Sequence, residues 1–458
     1  MNRRYFLKTT LATGPFYLYA SSLLATRHRS RAIHITKVAL TVEKEPLLKP
    51  FGFKGGSLTE LWQVIVQLTS STHHKVVGLG TQSVLWSDEH VFSTYSEQKG
   101  NELMYNITAF ALGLLENRTF TDPITVLDEI FEDVYHYGKE ITNNAALRKT
   151  FILNALVAVD NALWLLYSKE NQITNFDEMI PSSYRNTLSF QQKTLSKVPL
   201  ISYNTSLAEV ERYVQQGAFF IKIKIGQSGT QQEMLEKDKN RLTQIHKAIG
   251  KAKTLHSNNG RLCYYLDANG RYEHKETLQL LLKHAKDIGA FEQIAIIEEP
   301  FPETSHIHVG DLGIPIAADE SAHTDVDVVE RINMGYRAIA LKPIAKTLSM
   351  TLKILKEAHK HHVPCLCADL TVNPILVEWN KSIAARLPPF PGTNTGLIET
   401  NGQQNYKNWA LMSRYSPMNN ESWTKTDKET FLLTKKYYEK SGGIFENAAH
   451  YSTLFETK

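Results

Sequence analysis

The chain has 458 residues, of which 42% are hydrophobic and 21% charged, an ordinary globular composition with enough length for two or three domains and a large core. The formal net charge is +4, and because much of the basic excess lies in the first 31 positions, the rest of the chain is close to neutral. The composition therefore argues against a nucleic-acid-binding protein with a clustered basic face, and three cysteines without regular spacing argue against a disulfide scaffold.

The N-terminal segment, 1–31, is predicted to be a targeting signal followed by a basic linker. The stretch Asn2-Arg3-Arg4-Tyr5-Phe6-Leu7-Lys8 resembles a twin-arginine export signal, with Asn2 in place of the usual Ser or Thr. The apolar run that follows is interrupted by Gly14 and Pro15 and is too short for a good membrane span. We expect an exported, periplasmic protein with no stable membrane span after export. A disordered basic tail is the alternative, and the cleavage site stays open.

Residues 32–195 are predicted to form an N-terminal α+β domain. Within it, Ile33–Val42 alternates as a strand, Leu47–Phe53 reads as an apolar loop rich in turn residues, and Val76–Gly80 closes a hairpin-like unit. From 97 to 170 the apolar residues recur at helical spacing.

From about residue 199 the pattern changes to short apolar strands that alternate with amphipathic helices. The predicted strands are Leu200–Tyr203, Phe219–Ile225, Leu262–Asp267, Ile294–Glu298, Ile314–Ala318, Ala338–Leu341, Val363–Ala368 and Gly396–Glu399. This alternation predicts an α/β fold, a TIM-type (β/α)7β barrel that spans 196–402 and lacks the last helix. A doubly wound open sheet is the alternative, but no glycine-rich phosphate loop follows the first strand. The tail, 403–458, is predicted to pack back onto the N-terminal domain.

Carboxylates end three consecutive predicted strands, where barrel enzymes carry their active sites. Because Asp267, Glu298 and Asp319 occupy these positions, they should converge on one point. Three carboxylates without His or Cys are hard oxygen ligands that suit Mg²⁺. The alternative is that they are helix N-caps or members of separate ion pairs.

Lysines flank these carboxylates on both sides in sequence. Lys222 and Lys224 are two positions apart, so both point to one face of the second strand, where burial without an anionic partner would be costly. Lys342 ends the sixth strand, roughly opposite the second. A lysine near a metal and a second ammonium can have its pKa lowered towards neutrality and act as a base. Two such lysines could remove and return a proton α to a carboxylate, through an enediolate that a metal stabilises.

The succession Lys-x-Lys, Asp-Ala-Asn, Glu-Glu-Pro, Asp-Glu-Ser and Leu-Lys-Pro resembles the enolase superfamily, specifically its muconate-lactonizing-enzyme subgroup, which includes dipeptide epimerases and o-succinylbenzoate synthases. The resemblance covers nearly the whole mature chain and implies that the N-terminal α+β domain is a capping domain over the barrel. The residues that it implies are Asp267, Glu298 and Asp319 as Mg²⁺ ligands, Lys224 and Lys342 as paired acid/base residues, and Lys222 as the residue that stabilises the enolate.

Some positions stay open within this resemblance. Glu299 or Glu320 could replace the neighbouring carboxylate as a ligand, because alternation along a strand lets only one of each pair point inward. The stretches Leu47–Phe53 and Gly78–Gly80 resemble the mobile loops of the capping domain. Candidate substrate contacts are Phe51, Asn269, Asp369 and Glu399.

The reaction is also open. The dipeptide epimerases of this family usually carry an Asp-x-Asp on strand eight for the substrate's amino group, whereas here strand eight ends Glu399-Thr400-Asn401 and strand seven ends Asp369-Leu370-Thr371. Export favours an epimerase, because cell-wall peptides with D-residues occur outside the cytoplasm, while the Leu-Lys-Pro ending is closer to o-succinylbenzoate synthases.

We therefore expect a Mg²⁺-dependent racemase or epimerase that acts on a small carboxylate, an amino-acid or dipeptide derivative. A lyase or cycloisomerase that uses the same enediolate is the first alternative, and a non-catalytic carboxylate-binding protein is the second. The sequence leaves open which substrate is used and whether the protein is a homo-oligomer.

Overall fold

In the computed structural model, which describes residues 31–53 and 56–456, the chain begins with an antiparallel sheet. The predicted export signal lies outside the described residues. The strands of this sheet are β1 (Ile33–Phe53), β2 (Gly56–Ser70), β3 (Lys75–Gln82) and β4 (Thr119–Phe120), in the spatial order β3-β2-β1-β4.

Two predicted loops of this region are strands in the structure, which corrects the sequence interpretation. The stretch Leu47–Phe53 continues β1, and after a register shift beyond Pro46 it pairs with the start of β2, with Phe51 opposite Leu58. Gly78–Gly80 is not a turn but lies in the middle of β3, opposite β2. A Cβ atom at Gly78 would lie 2.2 Å from the carbonyl oxygen of Ala158, so glycine is required for a helix to pack this closely.

Most of the remaining residues of this region are helical. The helices are α1 (Val84–Ser87), α2 (Glu89–Leu115), α3 (Pro123–Ile141), α4 (Lys149–Glu170), α5 (Phe176–Met179) and α6 (Ser182–Arg185), and α4 packs against β2 and β3. Helix α4 is long and apolar enough to cross a membrane by length and composition, but it is almost entirely buried as a core helix. Together the sheet and these helices form the predicted cap.

A ring of parallel strands follows the cap. These strands are β5 (Thr194–Val198), β6 (Leu200–Ile201), β7 (Phe220–Lys224), β8 (Cys263–Asp267), β9 (Ile294–Glu298), β10 (Ile316–Ala318), β11 (Ala338–Leu341), β12 (Cys365–Cys367) and β13 (Gly396–Glu399). Strand β5 pairs with β13 and β6 pairs with β7. Because only Pro199 separates β5 from β6, the two act as one first strand and close an eight-position barrel.

Six helices alternate with the barrel strands. They are α7 (Leu207–Gln215), α8 (Gln231–Ile249), α9 (Lys275–Asp287), α10 (Asp325–Asn333), α11 (Leu348–Lys360) and α12 (Pro374–Ala384). Capping boxes fix the starts of α8 and α10, through Thr230 with Glu233 and Thr324 with Asp327. The alternation fails once, because the fully described connection 299–315 between β9 and β10 contains no helix.

The C-terminal tail contacts both parts of the molecule. Its elements are α13 (Gly402–Asn405), α14 (Trp409–Tyr415), β14 (Thr426–Asp427), β15 (Thr430–Leu432), α15 (Lys435–Lys440) and α16 (Ala449–Thr453). Strand β15 pairs antiparallel with β5 of the barrel, and His450 lies 2.9 Å from Glu43 of β1 in the cap. The tail thus packs on the barrel as well as on the cap, and from Arg31 onward the chain forms one compact unit.

Candidate active site

The charged strand ends meet in one buried region at the carboxyl end of the barrel. Asp267 and Glu298 are the last residues of β8 and β9, and Asp319 and Lys342 directly follow β10 and β11. All of the predicted lysine and carboxylate residues there are at least nine-tenths buried. A small cavity of about 40 Å³ opens onto them, and its charged lining residues are Lys222, Lys224, Asp267, Asp319, Lys342, Asp369 and Glu399.

The lysines of β7 pair with carboxylates of three other strands. Lys222 Nζ lies 2.9 Å from Asp267 Oδ2 and 2.6 Å from Glu298 Oε2, and it lies 3.2 Å from an oxygen of Glu399 on β13. Lys224 Nζ donates to the same Asp267 oxygen at 2.6 Å. These contacts supply the anionic partners that burial of two neighbouring ammonium groups requires.

Lysines that follow β11 pair with Asp319. Lys342 Nζ lies 2.5 Å from Asp319 Oδ2. Lys346 was not identified from the sequence, because it lies beyond the strand end. Its Nζ donates to the main-chain oxygens of Asp319 and Ala322 at 2.5 and 3.0 Å and lies 3.5 Å from Asp319 Oδ1. Lys346 therefore holds the turn that carries Asp319.

A carboxylate cluster forms at the ends of β9 and β10. Oxygens of Glu298, Asp319 and Glu320 lie within 4.8 Å of one another. The expectation that only one residue of the Asp319–Glu320 pair can point inward is wrong, because β10 ends at Ala318 and strand alternation no longer applies. Glu299 is directed elsewhere, since its Oε2 accepts hydrogen bonds from the Asp319 amide and from Ser321.

These residues fit a hard divalent cation. Every donor is a carboxylate oxygen, as Mg²⁺ prefers. Glu298 is fully buried, and although its Oε2 pairs with Lys222, its Oε1 accepts no hydrogen bond from any nitrogen or hydroxyl of the described residues. The carboxylate cluster consists of Glu298, Asp319 and Glu320, whereas Asp267 pairs with the two β7 lysines. The third ligand beside Glu298 and Asp319 is therefore either the predicted Asp267 or the alternative Glu320.

Burial and charge shift the pKa values of the site in opposite directions. Burial and the neighbouring Asp267 raise the pKa of Glu298 well above its usual value. For Asp267, burial is outweighed by Lys222 and Lys224, which lower its pKa to about 2. Burial alone would lower the pKa of Lys342, but Asp319 and Glu298 outweigh it, so that pKa is raised. For Lys342, the lowered pKa expected from the sequence is thus not produced by these protein groups without a metal.

The candidate substrate contacts all line the same cavity. Phe51 lies at the cap side, and Asn269, Asp369 and Glu399 lie at strand ends. Asn269 accepts a hydrogen bond from Lys224 Nζ at 2.6 Å and its amide nitrogen donates to Glu320 at 2.9 Å. Asp369 Oδ2 accepts from the Asn401 amide, and burial together with Glu399 raises the pKa of Asp369 to about 6.

Trp86, which lines the cavity, was also not identified from the sequence. It lies on the single-turn helix α1 of the cap and lines the cavity beside Lys342. No motif marks it, because a lone buried tryptophan after a strand is most simply a core residue. Only the approach of the cap to the barrel brings it to the strand ends.

The comparisons with known proteins agree with this geometry. Residues 205–394 match the family model described as Enolase C-terminal domain-like. The match covers most of the barrel and includes its strand-end lysines and the carboxylates Asp267, Glu298 and Asp319. No curated protein sequence matches the chain.

Solved structures share the fold at low identity. The L-Ala-D/L-Glu epimerase from Bacillus subtilis is 18% identical with a TM-score of 0.59, over 87% of this chain and 96% of that one. The dipeptide epimerase from Enterococcus faecalis, complexed with Mg and L-Leu-L-Tyr, is 16% identical with a TM-score of 0.58, over 82% and 92%. The N-succinyl Arg/Lys racemase from Bacillus cereus is 14% identical with a TM-score of 0.59, over 88% and 93%.

These likenesses confirm the predicted fold, a TIM-type barrel with an N-terminal capping domain, and the predicted resemblance to the enolase superfamily. The prediction of an enzyme of this superfamily agrees with both comparisons, since the neighbours named above are racemases and epimerases.

Proposed function

We propose that this protein is a Mg²⁺-dependent racemase or epimerase that exchanges the proton α to a carboxylate of an amino-acid or dipeptide derivative. The observation that carries the proposal is the position of two lysines on opposite sides of one carboxylate-lined cavity. Lys224 lies on β7, the second strand position, and Lys342 follows β11, the sixth. In a ring of eight strands these positions face each other.

In the proposed reaction, one lysine accepts the α-proton and the other, as an ammonium, returns a proton to the opposite face of the same carbon. The electron pair left on carbon moves into the substrate carboxylate to form an enediolate, which the Lys222 ammonium would stabilise. Asp267, Glu298 and Asp319, with Glu320 as the alternative to one of them, would hold Mg²⁺, which when bound supplies positive charge for that carboxylate. After one turnover the two lysines have exchanged protonation states.

The substrate class follows from the cavity and from the neighbours. The cavity lies between the cap and the strand ends and has both apolar and charged lining residues, as sites for small molecules do. Asp369 and Glu399 add negative charge at the ends of β12 and β13, so we propose that they face a donor group of the substrate, such as an amino group. Two structural neighbours were solved as complexes with dipeptides, L-Leu-L-Tyr and D-Ala-L-Val, which supports dipeptides as the first compounds to test.

The test is deuterium exchange. The protein is incubated with Mg²⁺ in D₂O and a panel of dipeptides and N-succinyl amino acids, and α-deuterium and stereochemistry are followed by NMR and chiral chromatography. We expect exchange with inversion for at least one compound. If every compound stays protonated while water is eliminated from a β-hydroxy acid, the epimerase proposal fails and the lyase alternative replaces it.

Single-lysine variants assign the two faces. Lys224→Ala and Lys342→Ala should each abolish exchange from one stereoisomer while the other isomer still exchanges, because each lysine serves one face. Lys381→Ala is the matched control, since Lys381 is equally buried but pairs with Glu378 on α12, outside the cavity. If both site variants keep exchange with both isomers, the assignment of the bases is wrong.

We also propose that the protein is exported by the twin-arginine route, on the basis of residues 2–8. Residues 1–31 fused to a reporter that matures only when folded in the cytoplasm should carry it to the periplasm, and replacing Arg3 and Arg4 by lysine should retain it in the cytoplasm. Equal periplasmic reporter from both fusions would reject this route.

A further inference from the structure

Each of the two opposed lysines faces an aromatic ring from the cap. Lys342 Nζ lies 4.5 Å from the centre of the Trp86 ring, and Lys224 Nζ lies 5.9 Å from the ring of Phe53. An ammonium within about 6 Å of a ring is attracted by its π-system, most strongly by tryptophan and at short range. The contact of Lys342 is therefore the stronger of the two.

Trp86 also contacts the carboxylate that holds Lys342. Its indole Nε1 donates to Asp319 Oδ2 at 3.4 Å, and Lys342 Nζ donates to the same oxygen at 2.5 Å. The indole, the carboxylate and the ammonium thus form a closed triangle in which Trp86 contacts both partners of the ion pair. Trp86 is 3% exposed, so water does not compete strongly for these contacts.

The turn that carries Trp86 is held firmly. Asn154 of α4 accepts hydrogen bonds from the Ser83 amide at 2.9 Å and the Ser87 hydroxyl at 3.1 Å, and its own amide donates to the Thr81 carbonyl at 2.9 Å. One buried side chain therefore fixes both ends of α1. Phe53, by contrast, is the last residue of β1, at the end of the β1–β2 hairpin.

We propose that Trp86 is a positioning residue, through which the cap holds Lys342 against Asp319, and that the two faces of the site are therefore unequally constrained. The inference rests on the proposed function for its kinetic consequence but not for the contact itself. Without the indole, Lys342 keeps its pairing with Asp319 but loses the ring that restricts its other side. Lys224 faces the ring of Phe53 instead and should be affected much less.

Two measurements test the inference, one of which needs no substrate. In the first, Mg²⁺-loaded protein is trace-labelled with acetic anhydride, and acetylation of Lys342 relative to Lys224 is quantified by mass spectrometry. Trp86→Leu should raise this ratio about fivefold or more, since it removes the covering ring. Trp86→Phe, which keeps a ring, should stay within about twofold of the wild type. Phe53→Leu is the matched control and should shift the ratio the other way.

In the second, deuterium exchange is measured separately for the two stereoisomers of the best compound from the panel. Trp86→Leu should slow exchange at the Lys342 face about tenfold and at the Lys224 face by less than about twofold. Simple loosening of the fold would instead change both lysines and both faces together.

The outcomes separate the two proposals. An acetylation ratio that is unchanged in Trp86→Leu, or that changes equally in Phe53→Leu, overturns the positioning role whatever the activity. Equal slowing at both faces overturns it as well. A selective change in labelling supports it even if no compound exchanges in the wild type, and in that case the proposed function alone fails.

Discussion

Asp160 offers a quantitative test of how the cap is joined to the barrel. This carboxylate lies on α4 and accepts hydrogen bonds from the Ser349 amide at 3.0 Å and the Ser349 hydroxyl at 2.5 Å, at the start of α11. Trp164 donates to the same hydroxyl at 3.0 Å. Burial raises the pKa of Asp160 to about 7, and the hydrogen bonds from Ser349 only partly oppose the shift.

The magnitude follows from linkage. The pKa of Asp160 is raised in the folded state, so the folded state binds the proton more tightly than the unfolded state does. The stabilisation that this binding gives is complete below the unfolded pKa near 4 and is lost as the pH rises through about 7. Above pH 7, ionisation of Asp160 lowers the free energy of unfolding by at most ~4 kcal/mol relative to low pH, and roughly 3 kcal/mol of this loss develops between pH 5 and pH 8. Asp160→Asn keeps the shape of the neutral acid and has no charge to bury.

The assay is urea unfolding followed by circular dichroism from pH 5 to pH 8, in EDTA so that metal occupancy does not change. We expect Asp160→Asn to be more stable than the wild type at pH 8 and the difference to shrink towards pH 5. Asp133→Asn, at an exposed position of α3, is the control and should leave the pH dependence unchanged. If the stability difference between Asp160→Asn and the wild type varies by less than ~1 kcal/mol over this range, burial does not govern this carboxyl.

Two further predictions concern packing and the carboxylate cluster. Gly78→Ala should destabilise the protein by about 1–3 kcal/mol or more, because the new methyl group would meet the α4 backbone at Ala158, whereas Gly113→Ala, with open space around it, should not; equal unfolding midpoints would contradict the packing. Glu298→Gln should weaken Mg²⁺ binding at least about tenfold in calorimetry, since it removes a buried anionic donor. The same variant should raise the melting temperature in EDTA, because it removes a buried charge and its repulsion from Asp267; a lower melting temperature there would contradict the raised pKa of Glu298.

The barrel was predictable from the sequence because its periodicity is local. The predicted strands Ile294–Glu298, Ala338–Leu341 and Gly396–Glu399 have the same bounds in the structure. The additional strand β5 was not predicted, because Thr194–Val198 has only two apolar residues, separated by the adjacent Ser196 and Lys197, and lies in what reads as a linker. Only pairing with β13 and β15 reveals it as part of the barrel.

The cap was less predictable for the opposite reason. Leu47–Phe53 contains Pro50 and Gly52, which favour a loop locally, but pairing with β2 extends the strand through it. Glycines in β3 signal a turn when read alone, yet they serve the close approach of α4. Long-range contacts thus override local preference in the part of the chain that covers the site.

The site itself has a near-mirror arrangement about Glu298 on the fourth strand position. On one side Lys224 pairs with Asp267 at 2.6 Å, and on the other Lys342 pairs with Asp319 at 2.5 Å. The proposed reaction uses one lysine on each side of the substrate, and the strand-end positions made both lysines and both carboxylates visible in the sequence.

The two lysine–carboxylate pairs differ in their neighbours, which do not belong to the strand-end pattern. Lys224 also contacts the neutral amide of Asn269, whereas Asp319 contacts a second ammonium group, that of Lys346. Trp86 covers one lysine more closely than Phe53 covers the other. Because the two lysine–carboxylate pairs are alike, we expect any preference of the proposed enzyme for one stereoisomer to come from these unequal neighbours. Variants of the neighbours should therefore alter the ratio of the two half-reactions before they abolish either.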